Sequence, residues 1–351
     1  MSLLLGHYFK KLEKNACAFY HDGRLPFAPN FIIADHQRLF SGFNDFHKPE
    51  QYSRYIFFAA FIQMLGRHHK KFDDIQQDIE ITWAGKSKSL APVRIIGEHG
   101  WLPRSGYQIC TQGSNSRRKK LFTLDEPKLP QFITIDDVKE ARDLSSELYD
   151  HCTPEIFRSL GLPDHFYLVA LQTGDDFNLK YSDTDFTQFY NQENSSQKVA
   201  QAIADYLDTN RASPDDTFIF CPHPRARDIS LKLQRKDCIS HSIDPRLSFR
   251  DLARTPNCMG VISINSNAIH ESMLLEKNVF TLGSLLYTRE NSPFGTSLKE
   301  FFERCKRKEL PSRYYDYLNF VIQEQCSVSE LFDWRMWRRL LDEAIASNTQ
   351  P

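Results

Sequence analysis

Two adjacent carboxylates follow a short apolar run of the sequence. Asp175 and Asp176 come shortly after residues 165–171, with Gln172 between the run and the pair. Repulsion between neighbouring carboxylates favours a proton on one of them, which suits acid–base or nucleophilic chemistry. A solvent-facing pair without such a role is the alternative interpretation.

A histidine between two prolines follows a second apolar run, at residues 217–221. Pro222 and Pro224 fix the backbone on both sides of His223, and Arg225 comes next. A rigid imidazole at the end of a strand can donate a hydrogen bond to a phosphate and help a nucleotide to leave. A buried structural histidine is the alternative.

A third apolar run, at residues 259–264, leads through Asn265, Ser266 and Asn267 into a predicted helix. The N–H groups at the start of a helix, together with hydroxyl and amide donors, can bind an anion. The same residues serve equally well as an ordinary helix cap. Glu271, in the first turn of this helix, either accepts hydrogen bonds from a ribose diol or compensates the helix dipole.

A glutamate follows a fourth apolar run, at residues 93–97, in the sequence Glu98-His99-Gly100-Trp101. Parallel α/β sheets bind their ligands beyond the carboxyl ends of the strands. Polar groups at four predicted strand ends therefore indicate a binding or catalytic site. Ordinary surface loops remain the alternative for each segment taken alone.

Apolar runs alternate with helical patterns along the chain, which predicts an α/β architecture with mainly parallel strands. The predicted strands are residues 30–34, 93–97, 165–171, 217–221, 259–264 and 278–282. The predicted helices are residues 55–68, 196–207, 248–254 and 268–276. This alternation of strands and helices is typical of doubly wound nucleotide-binding folds.

A domain boundary is predicted near residue 160, because a helix that starts at Thr153-Pro154-Glu155 is stopped by Gly161 and Pro163. The predicted parts are a Rossmann-like domain at residues 1–160, a second one at 161–325 and a C-terminal helix at 326–351. In the last part, Leu331, Trp334, Trp337 and Leu341 recur at helical spacing. That stripe favours a helix that docks on the N-terminal domain, with a membrane-interface helix as the alternative.

The charge balance argues against a nucleic-acid partner, because 44 Lys and Arg against 45 Asp and Glu give a formal net charge of −1. No secretory signal and no membrane span are recognisable, and the eight cysteines are scattered without a Cys-x-x-Cys pair. This pattern predicts a cytoplasmic protein with reduced thiols. The short acidic motif Asp183-Thr-Asp185 is a weak signal, so no metal is expected.

Four segments together resemble the bacterial capsule polysaccharide synthesis and export family, which contains the β-Kdo transferases. They are Glu98-His-Gly-Trp-Leu-Pro-Arg-Ser-Gly106 with Gly113-Ser-Asn115, Leu171-Gln-Thr-Gly-Asp-Asp-Phe-Asn-Leu179, Pro222-His-Pro-Arg225, and Val261-Ile-Ser-Ile-Asn-Ser-Asn-Ala-Ile-His-Glu-Ser-Met-Leu-Leu275. The resemblance implies a GT-B fold, in which two Rossmann-like halves face a central cleft. It also implies CMP-Kdo as the donor, transfer with retention at the anomeric carbon, and no further cofactor.

The resemblance and the chemistry of the side chains together lead to a hypothesis for the roles of individual residues. Asp176 is expected to attack the anomeric carbon, His223 to assist the departing nucleotide, and Glu98 to act as acid and base toward the acceptor. The residues expected to bind the donor are Gln172, Asp175, Pro224, Arg225, Asn265, Ser266, Asn267 and Glu271.

A lipid-linked or glycan acceptor is expected, which places the protein at the inner face of the cytoplasmic membrane, with capsule assembly or export proteins as further partners. The basic runs at residues 117–120 and 304–308 suit an anionic lipid surface or plain solvation. Two other functions stay open. One is a GT-B transferase that uses another nucleotide sugar, and the other is a catalytically silent protein of capsule assembly and export.

Overall fold

The chain forms two compact units, one made of residues 1–113 and 324–351 and the other of residues 114–323. The computed structural model describes residues 24–25, 27–33, 49–83, 91–102, 106–111, 121–125, 162–180, 182–210, 213–223, 232–233, 238–240 and 248–348. The basic run at 117–120 and the helix predicted at 153–161 lie outside these ranges.

The boundary between the units lies earlier than the one predicted near residue 160. Phe122 already belongs to the second unit, where its N–H donates to the carbonyl oxygen of Leu286 at 2.7 Å. Its ring packs edge-on against Tyr317, with 5.4 Å between the ring centroids. Because this contact partner is distant in the sequence, no local pattern of helix start and stop residues reveals where the second core begins.

A mixed five-stranded sheet forms the centre of the first unit. Its strands, in spatial and chain order, are β1 (Arg24–Leu25), β2 (Ala28–Ile33), β3 (Ile79–Trp83), β4 (Val93–His99) and β5 (Tyr107–Cys110). The inner strands β2, β3 and β4 run parallel, whereas β1 and β5 are antiparallel to their neighbours. The second sheet consists of β6 (Phe166–Ala170), β7 (Phe218–Cys221), β8 (Cys238–Ser240), β9 (Cys258–Ser263) and β10 (Asn278–Thr281).

Helices cover both sheets. They are α1 (Pro49–His68), α2 (Phe177–Lys180), α3 (Ser195–Asn210), α4 (Phe249–Arg254), α5 (Ala268–Leu274), α6 (Leu298–Arg307), α7 (Tyr314–Glu324) and α8 (Trp334–Asn348). The basic run predicted at 304–308 begins inside α6, where Cys305 is buried.

The C-terminal helix α8 completes the core of the first unit. Its Trp337 and Leu341 are fully buried in the same apolar cluster as Phe57 and Phe61 of α1. The Trp337 ring lies 4.7 Å from that of Phe61, and its Nε1 donates to the carbonyl oxygen of Leu331 at 2.9 Å. The apolar stripe of this segment therefore packs on protein.

All five strands of the second sheet run parallel, in the order β10-β9-β6-β7-β8. The chain builds β6, β7 and β8 outward in one direction and then returns to add β9 and β10 on the other side of β6. This is the strand order of a Rossmann fold, so the expectation of an α/β architecture with mainly parallel strands is confirmed.

Alternate side chains of each strand point to opposite faces of this sheet. On one face, Tyr167 and Val169 of β6 pack with buried residues of α3 and α6, such as Ile203 and Phe301. On the other face, α4 and α5 lie against β9. The strands are therefore apolar on both sides, and polar groups gather at the strand ends.

Candidate functional site at the carboxyl edge of the second sheet

Three motifs of the sequence meet at one edge of the second sheet. Gln172, His223 and Asn265 each stand two residues past the end of a strand, namely β6, β7 and β9. Because these strands are parallel neighbours, their carboxyl ends share one edge. After β6 the chain continues to β7 on one side, whereas after β9 it continues to β10 on the other side, so the strand order reverses between β6 and β9. Open α/β sheets bind their ligands in the crevice at such a switch point.

The loops after β6 and β9 touch directly. The side-chain oxygen Oε1 of Gln172 accepts a hydrogen bond from the backbone N–H of Asn265 at 3.4 Å. Both side chains are buried. The contact fixes the orientation of the Gln172 amide, because its oxygen must face Asn265.

The side-chain amide of Asn265 links its own loop to α2 and to the segment after β10. Its Nδ2 donates to the carbonyl oxygen of Asn178 at 2.8 Å and to that of Ser284 at 3.1 Å. The first acceptor belongs to α2 and the second to the segment after β10. Asn265 was predicted to bind the donor, and its amide nitrogen is used to hold the edge of the sheet together.

The serines on either side of Asn265 shape the turn into α5. Ser263 donates its hydroxyl hydrogen to the carbonyl oxygen of Ala170 at 2.8 Å. The hydroxyl oxygen of Ser266 accepts from the N–H of Ala268 at 3.3 Å. Asn267 stands at the start of the helix without a capping bond from its own side chain. Ser266 thus makes the local bond that the capping alternative predicts.

The two carboxylates after β6 differ in environment. Asp175 is exposed, whereas Asp176 is half-buried and directly precedes α2. Oδ1 of Asp176 accepts from the N–H of Asn178 at 2.8 Å, and the Asp176 N–H donates to the carbonyl oxygen of Thr173. These bonds hold the Asp176 carboxylate in a fixed orientation at the edge of the sheet.

A glycine makes this loop possible. A Cβ on Gly174 would lie 2.3 Å from the Cβ of Ser195, the first residue of α3. The carbonyl oxygen of Gly174 also accepts from the N–H of Asn191 at 2.8 Å. The loop that carries Asp175 and Asp176 therefore packs closely against the start of α3, and only glycine at position 174 allows this close approach.

His223 is half-buried and follows the buried Pro222 at the end of β7. Pro224 and Arg225, the other predicted members of this motif, lie outside the described residues. The structure thus places His223 at the same edge as Gln172 and Asn265.

Glu271 is held by an arginine that belongs to none of the predicted motifs. The Nε of Arg250, on α4, lies 2.5 Å from Oε2 of Glu271. Burial alone would lower the pKa of Arg250, but the hydrogen bond and charge of Glu271 outweigh it and raise that pKa. The carboxylate predicted to meet a ribose diol is thus bound to a guanidinium. No spacing rule connects two residues 21 positions apart on different helices, so sequence alone gave no signal for this pair.

Glu98 belongs to the first unit and lies in a strand. It was predicted to follow a strand that ends at residue 97, but β4 continues to His99, and Glu98 pairs with Gln108 of β5. Trp101 and Leu102 of the same segment are fully buried.

Four buried polar atoms at the edge of the second sheet have no hydrogen-bond partner among the described residues. They are Nε2 of Gln172, Oγ1 of Thr173, Oδ1 of Asn178 and Oδ1 of Asn265. A buried polar atom left unsatisfied costs about 1–3 kcal/mol, so such a concentration is typical of a place that binds water or ligand. Thr173 was not among the predicted site residues.

Other expectations concern metals, membranes and thiols. Nowhere in the described part of the chain do three or more His, Cys, Asp or Glu side chains gather as a metal site. None of the described helices has the length and apolar character needed to cross a membrane. Five cysteines of the described ranges are free thiols: Cys110, Cys221, Cys258, Cys305 and Cys326.

The fold and the edge define a doubly wound α/β unit with a polar site at its topological switch point. Two solved structures to which the chain is similar are both KpsC from Thermosulfurimonas dismutans, a β-Kdo 2,4 transferase and a β-Kdo 2,7 transferase. The first is 13% identical, with a TM-score of 0.43, over 72% of this chain and 87% of that one. The second is 11% identical, with a TM-score of 0.37, over 81% of this chain and 95% of that one.

No protein-family model matches the chain, and no curated protein matches it.

Proposed function

We propose that this protein is a glycosyltransferase of capsular or surface polysaccharide biosynthesis that takes Kdo from CMP-Kdo. The observation that carries the proposal is the junction of Gln172 and Asn265 at the switch point between β6 and β9. This junction unites two segments that resemble the Kdo transferase family, and β7 brings the His-Pro segment to the same edge.

The donor is assigned to this edge of the second unit. Its phosphate lies near His223 and Ser266, where an imidazole and a hydroxyl can donate hydrogen bonds to it. The unpartnered Nε2 of Gln172 and Oγ1 of Thr173 supply further polar contacts. The proposal includes a GT-B fold.

The proposed reaction has two displacements. In the first, an oxygen of Asp176 bonds to the anomeric carbon as the bond from that carbon to the phosphate oxygen breaks, and CMP leaves with the electron pair. In the second, the acceptor hydroxyl oxygen attacks the same carbon, Glu98 takes its proton, and Asp176 leaves as a carboxylate. Two inversions give net retention. The acceptor is a lipid-linked or other glycan, which puts the protein at the inner membrane face beside capsule assembly and export proteins.

The decisive experiment is mass spectrometry of the intact protein after incubation with CMP-Kdo. We expect a covalent sugar adduct on the wild type, none on Asp176→Asn, and an adduct on the neighbouring Asp175→Asn. Asparagine keeps the oxygen that accepts from the Asn178 N–H, so Asp176→Asn preserves the start of α2. Full transfer activity in Asp176→Asn contradicts the assignment of the nucleophile.

A second candidate is a catalytically silent assembly protein. The observation that favours it is that Asp176, Asn265 and Glu271 all make structural hydrogen bonds. The two functions differ in the release of CMP from CMP-Kdo in the presence of acceptor, which the transferase catalyses and the silent protein does not. A panel of CMP- and UDP-sugars in the same assay distinguishes a transferase that uses another donor.

A further inference from the structure

Arg250 and Glu271 form a largely buried ion pair in the second unit. Their side chains are 16% and 21% exposed, and the pair is joined through Nε of Arg250. A buried ion pair usually adds little stability over well-packed apolar residues. Stability of the fold therefore does not by itself account for this pair.

The course of the chain places the pair at the carboxyl edge of the sheet. The turn after α4 leads directly into the amino end of β9, where the Cys258 N–H donates to the carbonyl oxygen of Thr255. The first turn of α4, which carries Arg250, is therefore its end nearer the carboxyl edge. Glu271 stands in the first turn of α5, which starts just beyond the carboxyl end of β9. The pair therefore lies at the same carboxyl edge of the sheet as Ser266.

The guanidinium of Arg250 has donors that no described residue uses. Its Nη1 and Nη2 make no hydrogen bond with any residue in the described ranges, and only Nε is engaged, by Glu271. The paired arginine Arg24 differs, because its two Nη nitrogens bind both carboxylate oxygens of Asp78 at 3.0 and 2.8 Å. The free fork of Arg250 matches the spacing of two oxygens on a phosphate or carboxylate.

We propose that Arg250 binds an anionic group of the sugar donor through Nη1 and Nη2, and that Glu271 positions the guanidinium. This inference rests on the proposed function and adds a specificity residue to it. The anionic group is the nucleotide phosphate or the carboxylate of the sugar, since both present two oxygens to the fork. Glu271 then acts through Arg250 and is a positioning residue.

The test is calorimetric binding of CMP, cytidine, Kdo and CMP-Kdo to the wild type and to Arg250→Gln. A charge-assisted contact predicts a loss of roughly tenfold to a hundredfold in affinity for the ligand that carries the recognised anion. If the anion is the phosphate, CMP and CMP-Kdo weaken while cytidine does not. If it is the carboxylate, Kdo and CMP-Kdo weaken and CMP does not. Unchanged affinity for all of the charged ligands overturns the proposal.

Matched variants distinguish the effect of the planar guanidinium group on affinity from the effect of positive charge alone and from the effect of misfolding. Arg250→Lys keeps the charge without the planar fork and should restore only part of the affinity. Arg254→Gln, on the same short helix, should bind like the wild type. Glu271→Gln should weaken the same ligands as Arg250→Gln, and the double variant should lose less than the sum of the two single losses. Additive losses contradict the positioning role.

The outcome also distinguishes this inference from the function on which it rests. A wild type that binds CMP, with Arg250→Gln equal to it for every charged ligand, refutes the role of Arg250 alone. A wild type that binds none of CMP, Kdo and CMP-Kdo refutes the proposed function and this inference with it. If Arg250→Gln does not fold, the affinities of Arg250→Lys and Glu271→Gln for the charged ligands are compared with those of the wild type instead.

Discussion

The side-chain oxygen of Gln172 accepts a hydrogen bond from the backbone N–H of Asn265, across the boundary between β6 and β9. These two residues are 93 positions apart, and each follows its strand by two residues. Since β6 and β9 are adjacent and parallel, the same offset brings both to the same height at the edge. The loops of the candidate site are thus linked to each other as well as to their own strands.

Substitution of Asn265 should destabilise the second unit, and Asn265→Asp should do so more strongly than Asn265→Ala. Asn265→Ala removes two donors and leaves the carbonyl oxygens of Asn178 and Ser284 buried without a partner, which we expect to cost about 2–4 kcal/mol. Asn265→Asp should cost more, because it places a carboxylate beside those two carbonyl oxygens. Hydrogen exchange of the β9 amides measures the effect. A cost for Asn265→Asp below that for Asn265→Ala contradicts the assigned bonds.

Replacement of Gly174 by alanine should displace the loop that carries Asp176. The new Cβ would collide with Ser195, so we expect transfer activity to fall about tenfold or more, since misplaced catalytic groups lose rate steeply. Ser195→Gly removes the Cβ and Oγ of Ser195, which are the two atoms that the new Cβ would meet. It should therefore restore activity in the double variant. Gly66→Ala serves as the control, because an added Cβ there meets only Phe27, at 3.7 Å. A double variant no better than Gly174→Ala would show that the contact with Ser195 is not the cause.

Four strands of the second unit, β6, β7, β9 and β10, were predicted from sequence to within one residue at each end. Residues 165–171 and 278–282 were predicted, and β6 and β10 occupy Phe166–Ala170 and Asn278–Thr281. Strands buried on both faces are continuous apolar runs between turn residues, which makes them visible without structural knowledge.

Strand β3 shows why other parts of the fold could not be predicted. Its sequence, Ile79–Trp83, includes Glu80, which is almost wholly buried and bound to Arg94 at 2.7 Å. A glutamate argues against a buried strand unless its partner is known, and the partner lies on β4, 14 residues away. The pair of Arg250 and Glu271 escaped prediction for the same reason.

Truncation of Trp337 should destabilise the first unit. The ring is fully buried on Phe61 and its N–H is bonded, so Trp337→Ala should cost about 3–5 kcal/mol, and Trp337→Phe should cost less. Phe332→Ala removes an exposed ring from the same C-terminal segment and is the matched control, with an expected change within about 0.5 kcal/mol. Thermal unfolding of the full chain gives the comparison. Equal effects of Trp337→Ala and Phe332→Ala would contradict the docked position of α8.

Acidification should weaken the second unit through His270. This side chain is wholly buried, and its Nε2 lies 2.8 Å from the hydroxyl oxygen of Tyr317. Burial lowers the pKa of His270 to about 3. In the unfolded chain a histidine has a pKa of about 6.5, so the unfolded state gains a proton as the pH falls through this window while the folded state does not. Stability contributed by the neutral imidazole is therefore lost progressively below about pH 6.5.

The expected loss between pH 7 and pH 5 is about 2 kcal/mol from this group alone. Hydrogen exchange of the β9 amides at both pH values measures it, since α5 packs on β9. His270→Gln should remove this part of the pH dependence, because glutamine does not titrate. His165→Gln alters an exposed histidine just before β6 and should leave the dependence intact. If His270→Gln keeps the full dependence of the wild type, the acid sensitivity of the second unit arises from groups other than the buried imidazole.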